Sequence, residues 1–322
     1  MLQTMLAPAR PSSSVLRIGV GVAEGTDALD AVVAAATAAR TDLDGAPPHL
    51  AIVVATSTPR GDVSRAVRGV LGPAGIVGGV TSGLLTDQHV ITQGALVLCF
   101  SNAEGAVSGV AATGGRRLAD SAQAAARLVL AGWPFRGRYP RGVAMAFTAH
   151  GAGAPAAGFL TPWRELMGPK MRTICGAMTT SELFGASTAV PLASVGCLEA
   201  PYLMGLGLAD GGGDAADAAS LIHGSVEATR SALKWLEARP TRVALVLESR
   251  ARLRKLGSAA SREWAAIREE IRQHNGHAGA PCVGWLCDEV AAYGRGVHPI
   301  DVQGAMSVMA LGDPAREGER LG

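Results

Sequence analysis

The chain has 322 residues, of which 48% are hydrophobic, 17% charged and 4% aromatic, and its formal net charge is +2. An apolar share this high excludes a disordered chain, and 42 glycines without a three-residue period exclude collagen. The near-neutral charge and the few aromatic residues argue against a nucleic-acid partner. Mean hydropathy is +0.24, yet no run of apolar residues is long enough for membrane insertion.

Residues 1–14 read as a disordered tail, and no apolar stretch within them forms an export signal. A glycine strand at Gly19-Val20-Gly21-Val22 then feeds an alanine-rich helix reaching Ala39. Leu50–Ala55 is an apolar strand, and Ala74–Gly83 is a second one that ends in glycine and small polar residues. Thr92–Leu98 is a further strand. The order then repeats. Gly109–Ala111 leads into a helix reaching Leu130, followed by strands at Gly142–Phe147, Met171–Glu182 and Leu192–Gly196. The stretch from Gly151 to Gly158 between two of these reads as a surface loop. It repeats a third time as Gly205–Leu208 with a helix reaching Leu236, a strand at Val243–Leu247, a helix over Ser261–Gln273, and strands at Ala280–Glu289 and Val302–Val308. Asp27, Asp120 and Asp214 stand near the three first helices, where carboxylates cap free N–H groups.

Gly78, Gly176 and Gly284 recur about 100 residues apart, each on a short apolar strand that ends in a small polar cluster. The fold class that follows is α/β. Repeated strand–helix units form mixed, mostly parallel sheets with helices packed on them, and the repeat suggests a pseudo-threefold arrangement.

The strand ends supply the candidate ligand-binding residues. They are Gly78, Thr81 and Ser82 in the first unit. In the second they are Gly176, Thr179, Thr180, Ser181 and Glu182, and in the third Gly284, Trp285, Cys287, Asp288 and Glu289. Ligands of open α/β sheets bind outside the carboxyl ends of strands, and glycine there admits close backbone approach. Hydroxyls, backbone N–H groups and two or three carboxylates suit a small polar ligand with an amine and a carboxylate. The competing reading is that Ser, Thr and Asp cap turns, as they do in most proteins.

Ile76–Gly83, Pro281–Val290 and the opening Gly19–Val22 with its helix resemble the FIST family of bacterial sensory and signal-transduction proteins. The resemblance runs from about Val15 to Asp313 and departs at Leu84, where the family has glutamate, and at Asp288, where it has glycine. It implies an N-terminal module over 15–204 and a C-terminal module over 205–322. It also implies a cytoplasmic ligand-binding sensory protein, with an amino-acid-like ligand and a signalling partner protein. Some members resemble haem-based sensors, and His150, which follows a strand end and precedes glycines, is a candidate ligand-loop residue or haem ligand. No residue pattern in the sequence itself fixes haem or a metal.

Two other readings stand beside the sensor. One is a small-molecule enzyme, such as a cyclic-amide hydrolase-like protein using the strand-end polar cluster. A Ser–Lys mechanism would need lysines near those serines, and Lys170 is the one nearest a strand. The other is a scaffold with a decayed pocket. The five cysteines lack a C-x-x-C pair and read as reduced core thiols. His274 and His277 lie in a turn without further ligands. The basic run Arg250–Lys255 reads as a solvated face.

Overall fold

The structure is a computed structural model, and it describes residues 16–86, 90–101, 110–113, 117–132, 142–152, 154–169, 171–185, 191–199, 202–211, 216–294 and 304–314. The expected tail at 1–14, Asp214 and Lys170 lie outside the described residues.

The first unit contains β1 (Arg17–Glu24), α1 (Ala28–Asp42), β2 (Leu50–Ala55), α2 (Val63–Leu71), β3 (Gly75–Val80), β4 (Leu84–Leu85), β5 (Val90–Ile91) and β6 (Gly94–Ser101). The second contains β7 (Val110–Thr113), α3 (Leu118–Gly132), β8 (Gly142–Thr148), α4 (Thr161–Met167), β9 (Met171–Ala177), β10 (Leu183–Phe184) and β11 (Ala193–Glu199). A π-helical turn at Ala156–Leu160 precedes α4, so the loop expected from Gly151 to Gly158 is helical in its second half. The third contains β12 (Tyr202–Ala209), α5 (Ala218–Lys234), β13 (Thr241–Ser249), α6 (Arg250–Leu256), α7 (Ala260–His274), β14 (Cys282–Cys287), β15 (Glu289–Tyr293) and β16 (Met306–Pro314). The module boundary expected between 204 and 205 falls inside β12.

Each unit builds one mixed α/β sheet, in the orders β1-β6-β2-β3, β7-β11-β8-β9 and β12-β16-β13-β14. The parallel core is one pair per sheet, β2 with β3, β8 with β9 and β13 with β14, flanked by antiparallel strands. Each sheet then receives an edge strand from another unit. β10 pairs with β3, β15 with β9, and β4 with β14. The exchange is cyclic, and it realises the threefold repeat of the sequence.

Alternation along the strands sorts the core into layers. Leu50, Ile52 and Val54 of β2 face a central cluster with Val143, Met145 and Phe147 of β8 and Val243, Leu245 and Leu247 of β13. Their alternate neighbours face outward beneath helices: Ala51 and Val53 under α1 and α2, Ala144 and Ala146 under α3 and α4, Ala244 and Val246 under α5 and α7. The glycine strands have a steric origin. A Cβ on Gly21 would lie 1.9 Å from the Ala35 carbonyl oxygen of α1, and one on Gly207 would lie 1.8 Å from that of Ala228 on α5. The alanine-rich helices sit so close to their strands that only glycine fits beneath them. Asp27 caps α1 by accepting from Leu29 N and Asp30 N, while Asp217 caps α5 by accepting from Ser220 N.

Candidate active site

The strand-end clusters do meet, and they meet largely to join the units. Thr81 Oγ1 donates to the Leu286 carbonyl, tying unit one to unit three. Val80 N donates to Glu182 O (3.1 Å), and Thr179 Oγ1 donates to Val80 O (3.5 Å), tying unit two to unit one. Asp288 N donates to Ala177 O (2.8 Å), tying unit three to unit two. The Thr180 hydroxyl accepts from Glu182 N (3.2 Å) and shapes its own turn. Ser181 is exposed, and Ser82 has a buried hydroxyl without a hydrogen-bond partner among the described residues.

Several predicted ligand residues line neither of the two cavities described below. Trp285 is fully buried and stacks on Phe147 (centroids 5.4 Å apart) at the centre of the core. Cys287 is fully buried; burial, then the Asp288 carboxylate, pushes its thiol well above the ordinary range, so it is held protonated. Gly78 and Gly284 face neighbouring strands: a Cβ would lie 1.8 Å from Val53 O and 1.9 Å from Val246 O respectively. At Gly176 a Cβ would meet the Cys287 sulfur at 2.5 Å. These five serve close packing, which corrects their assignment to a ligand surface.

Asp288 and Glu289 do reach a cavity, of about 360 Å³. Three segments line it. His150, Gly151 and Ala154 follow β8, and Ala251 and Arg254 lie on α6. Ala177, Asp288 and Glu289 come from the junction of β9 and β15. His150 is placed by its backbone N–H, which donates to Thr180 O (3.0 Å), so the second strand-end cluster acts through His150. Its Nδ1 is hydrogen-bonded to Asp288 Oδ2. The other carboxylate oxygen, Oδ1, pairs with the Arg250 guanidinium. The Asp288 side chain is 17% exposed and His150 57%, so the carboxylate is sheltered and the imidazole opens to the cavity.

The run Arg250–Lys255 is not a uniformly solvated face: Arg252 is fully buried. Its Nε donates to Glu263 Oε1 (2.8 Å), Nη1 to Asp210 O (2.8 Å) and Gly304 O (3.3 Å), and Nη2 to Ser225 Oγ (2.7 Å) and the Leu221 carbonyl. Ser249 Oγ caps the same helix, accepting from Ala251 N (3.1 Å) and Arg252 N (3.3 Å). Beside this pair, burial and then the Glu263 carboxylate push the Glu248 carboxyl well above its usual range. α6 is therefore pinned on its inner side, while Arg254 lines the cavity and Arg250 pairs with Asp288. A serine cap before an i, i+4 arginine pair is a sequence signal for this, but Glu263 lies on a separate helix and no local spacing links it to Arg252.

A second hollow, of about 490 Å³, runs along α7. Its Glu269 and Arg272 pair with each other one turn apart at 2.7 Å, as on an ordinary solvated helix face. His274 Nε2 is bonded to Arg239 O and His277 Nδ1 to Arg272 Nη1, so neither turns toward a shared ion. Among the described residues no group of three or more His, Cys, Asp or Glu is arranged to hold a metal. The His150 cavity does not fit haem, because a porphyrin needs a flat apolar slot and these walls carry Arg254, Asp288 and Glu289. Lys234 ends α5, and Lys255 Nζ donates to Gly211 O (3.3 Å).

No family model and no curated protein matches the chain. The FIST-like resemblance therefore rests on its motifs alone. Solved structures are similar over most of the chain. One is a cyanuric acid hydrolase from A. caulinodans, with 14% identity, covering 92% of this chain and 99% of that one at a TM-score of 0.42. Another, described as a cyanuric acid hydrolase that arose by structural concatenation, has 10% identity, the same coverages and a TM-score of 0.37. Both are described as hydrolases and neither as a sensory protein, so the expectation of a sensory protein without chemistry of its own is not upheld. No described helix is long and apolar enough to cross a membrane.

Proposed function

We propose that the chain is a small-molecule hydrolase using general-base catalysis, with His150 the base and Asp288 its orienting carboxylate. The observation that carries this reading is the bond from His150 Nδ1 to Asp288 Oδ2 at the wall of the cavity. With the Nδ1 proton donated to Asp288, the Nε2 lone pair is left to draw a proton from water, and the sheltered carboxylate stabilises the imidazolium that forms. Arg250 pairs with the second carboxylate oxygen and helps hold Asp288 in place against His150. Arg254 supplies positive charge on the wall where an oxyanion would develop.

The test is a turnover screen of the purified protein against cyclic and linear amides, lactones and esters. Hydrolysis of at least one class is expected, with His150→Ala lowering kcat by at least about 100-fold. Absence of turnover across the panel, or full activity in His150→Ala, would refute the reading.

A further inference from the structure

We infer that α6 is a pH-operated wall of the cavity, closed over Glu248 while that carboxyl holds a proton and opened when the proton leaves. This property is independent of the hydrolase reading. Glu248 near the end of β13, Arg252 on α6 and Glu263 on α7 are all buried, at 3%, 0% and 2% exposure. Two carboxyls and one guanidinium are neutral together only if one carboxyl is protonated. The guanidinium cannot serve both. Its N–H donors are committed: Nε to Glu263, Nη1 to the Asp210 and Gly304 carbonyls, Nη2 to Ser225 and the Leu221 carbonyl. Glu248 stands against the Glu263 carboxyl, and its Oε1 has no hydrogen-bond partner among the described residues. The adjoining strands place Leu286 of β14 and Met306 of β16 beside it, and neither carries a donor side chain. α5 contributes Ser225, whose hydroxyl donates to Glu263. Arg252 and Glu263 are thus the charged groups that face Glu248.

An ionised Glu248 is a buried carboxylate without a donor, next to a second carboxylate, and that state is stable only where water reaches it. Of the three helices around the cluster, α6 is the one that yields. α5 buries Leu221, Ala228, Ala232 and Leu233, and α7 buries Ile267 and Ile271. α6 buries only Arg252 and Leu256. It ends at Gly257, where φ is 51° and an added Cβ would meet nothing within 4 Å, so this glycine serves backbone conformation rather than packing and gives the helix a pivot. Segments with little buried apolar surface open first. The chemical step is one proton transfer, from the Glu248 carboxyl to a solvent base, and water then hydrates the carboxylate under the lifted helix. Ala251 and Arg254 leave the cavity wall with α6, and Arg250 leaves Asp288. The closed form holds the proton, so closure is fully favoured below the ordinary carboxyl value of 4.5, and the opening constant rises about tenfold per pH unit from there to the raised native value.

The experiment is hydrogen exchange of the intact protein from pH 5 to pH 8, read by mass spectrometry and corrected for the intrinsic pH dependence of exchange. The amides of α6 are expected to lose protection by at least about tenfold over this range, and at pH 8 to exchange faster than those of α5 and α7. In Glu248→Gln, α6 is expected to keep at pH 8 the protection it has at pH 5. Glu248→Met, which likewise carries no charge, is expected to behave in the same way and serves where the amide variant does not fold. Constant protection of α6 in the native protein, an equal loss in α5, α6 and α7, or a loss that persists in the uncharged variants overturns the inference. Turnover is needed for none of these measurements, so failure of the hydrolase reading leaves them unaffected.

Discussion

Replacing Arg252 by Met should cost the protein a large part of its stability. The guanidinium and its partner Glu263 are 0% and 2% exposed and 2.8 Å apart, so solvent does not screen them. Methionine retains most of the stem volume, which keeps the cavity term small and isolates the charge. Removing one member of a buried pair costs roughly 3–5 kcal/mol, because the other is left uncompensated. The carbonyls of Asp210, Gly304 and Leu221 also lose a donor, and this adds to the loss wherever water cannot enter. A working figure of about 4 kcal/mol compares with a total stability of about 5–15 kcal/mol. Urea unfolding followed by circular dichroism should show the midpoint falling by about 1 M or more at an unchanged slope. Arg252→Met with Glu263→Met removes both charges and should recover at least about 2 kcal/mol of the loss. Arg252→Lys should not substitute for the native residue, because a single ammonium cannot span donors aimed at five acceptors. A single variant within about 1 kcal/mol of the native protein, or a double variant as unstable as the single, would refute the reasoning.

The other predictions concern proton uptake, packing and thiol access. Folding favours the protonated form of Glu248, so its contribution is full below the ordinary carboxyl value of 4.5 and is lost as pH rises toward its raised native value. Glu248→Gln should therefore raise Tm at pH 8 and leave it unchanged at pH 4, and an equal shift at both would count against a buried neutral carboxyl. Gly207→Ala should lower stability by about 1–3 kcal/mol through its clash with the Ala228 carbonyl. Gly224→Ala, whose nearest neighbour would be Ala209 Cβ at 3.8 Å, should be neutral or stabilising by up to about 1 kcal/mol in urea melts. All five cysteines are buried and none is in a disulfide. A thiol reagent should label none of them in the native protein and all of them in urea, and rapid native labelling of Cys287 would contradict its placement in the core.

The threefold repeat was legible because packing writes it into composition. Glycines at 19, 21, 205 and 207 exist where a helix backbone touches a strand, and alternation separates the inward Leu, Ile and Val from the outward Ala. The exchanged edge strands were not legible. Leu84–Leu85 and Leu183–Phe184 are two residues each, too short to show a period. The strand-end positions mixed two roles that sequence cannot separate: Thr81 and Thr179 join units, whereas Asp288 and Glu289 face a cavity. Arg252 looked like its solvated neighbours because its partner, Glu263, belongs to the helix after its own and is fixed only by the tertiary fold.

The cyclic exchange of edge strands bears on how the protein is made. On a ribosome the first unit emerges with its β3 edge bare, because β10 is still to be translated. β9 likewise waits for β15. The final pairing is the most distant in the chain: β4 must hold its place until β14 arrives, with Thr81 and Leu286 joined across 205 residues. No unit can finish its sheet from its own sequence, so the nascent chain carries open edges until the third unit has been synthesised. Ring closure is then a single late event of high contact order.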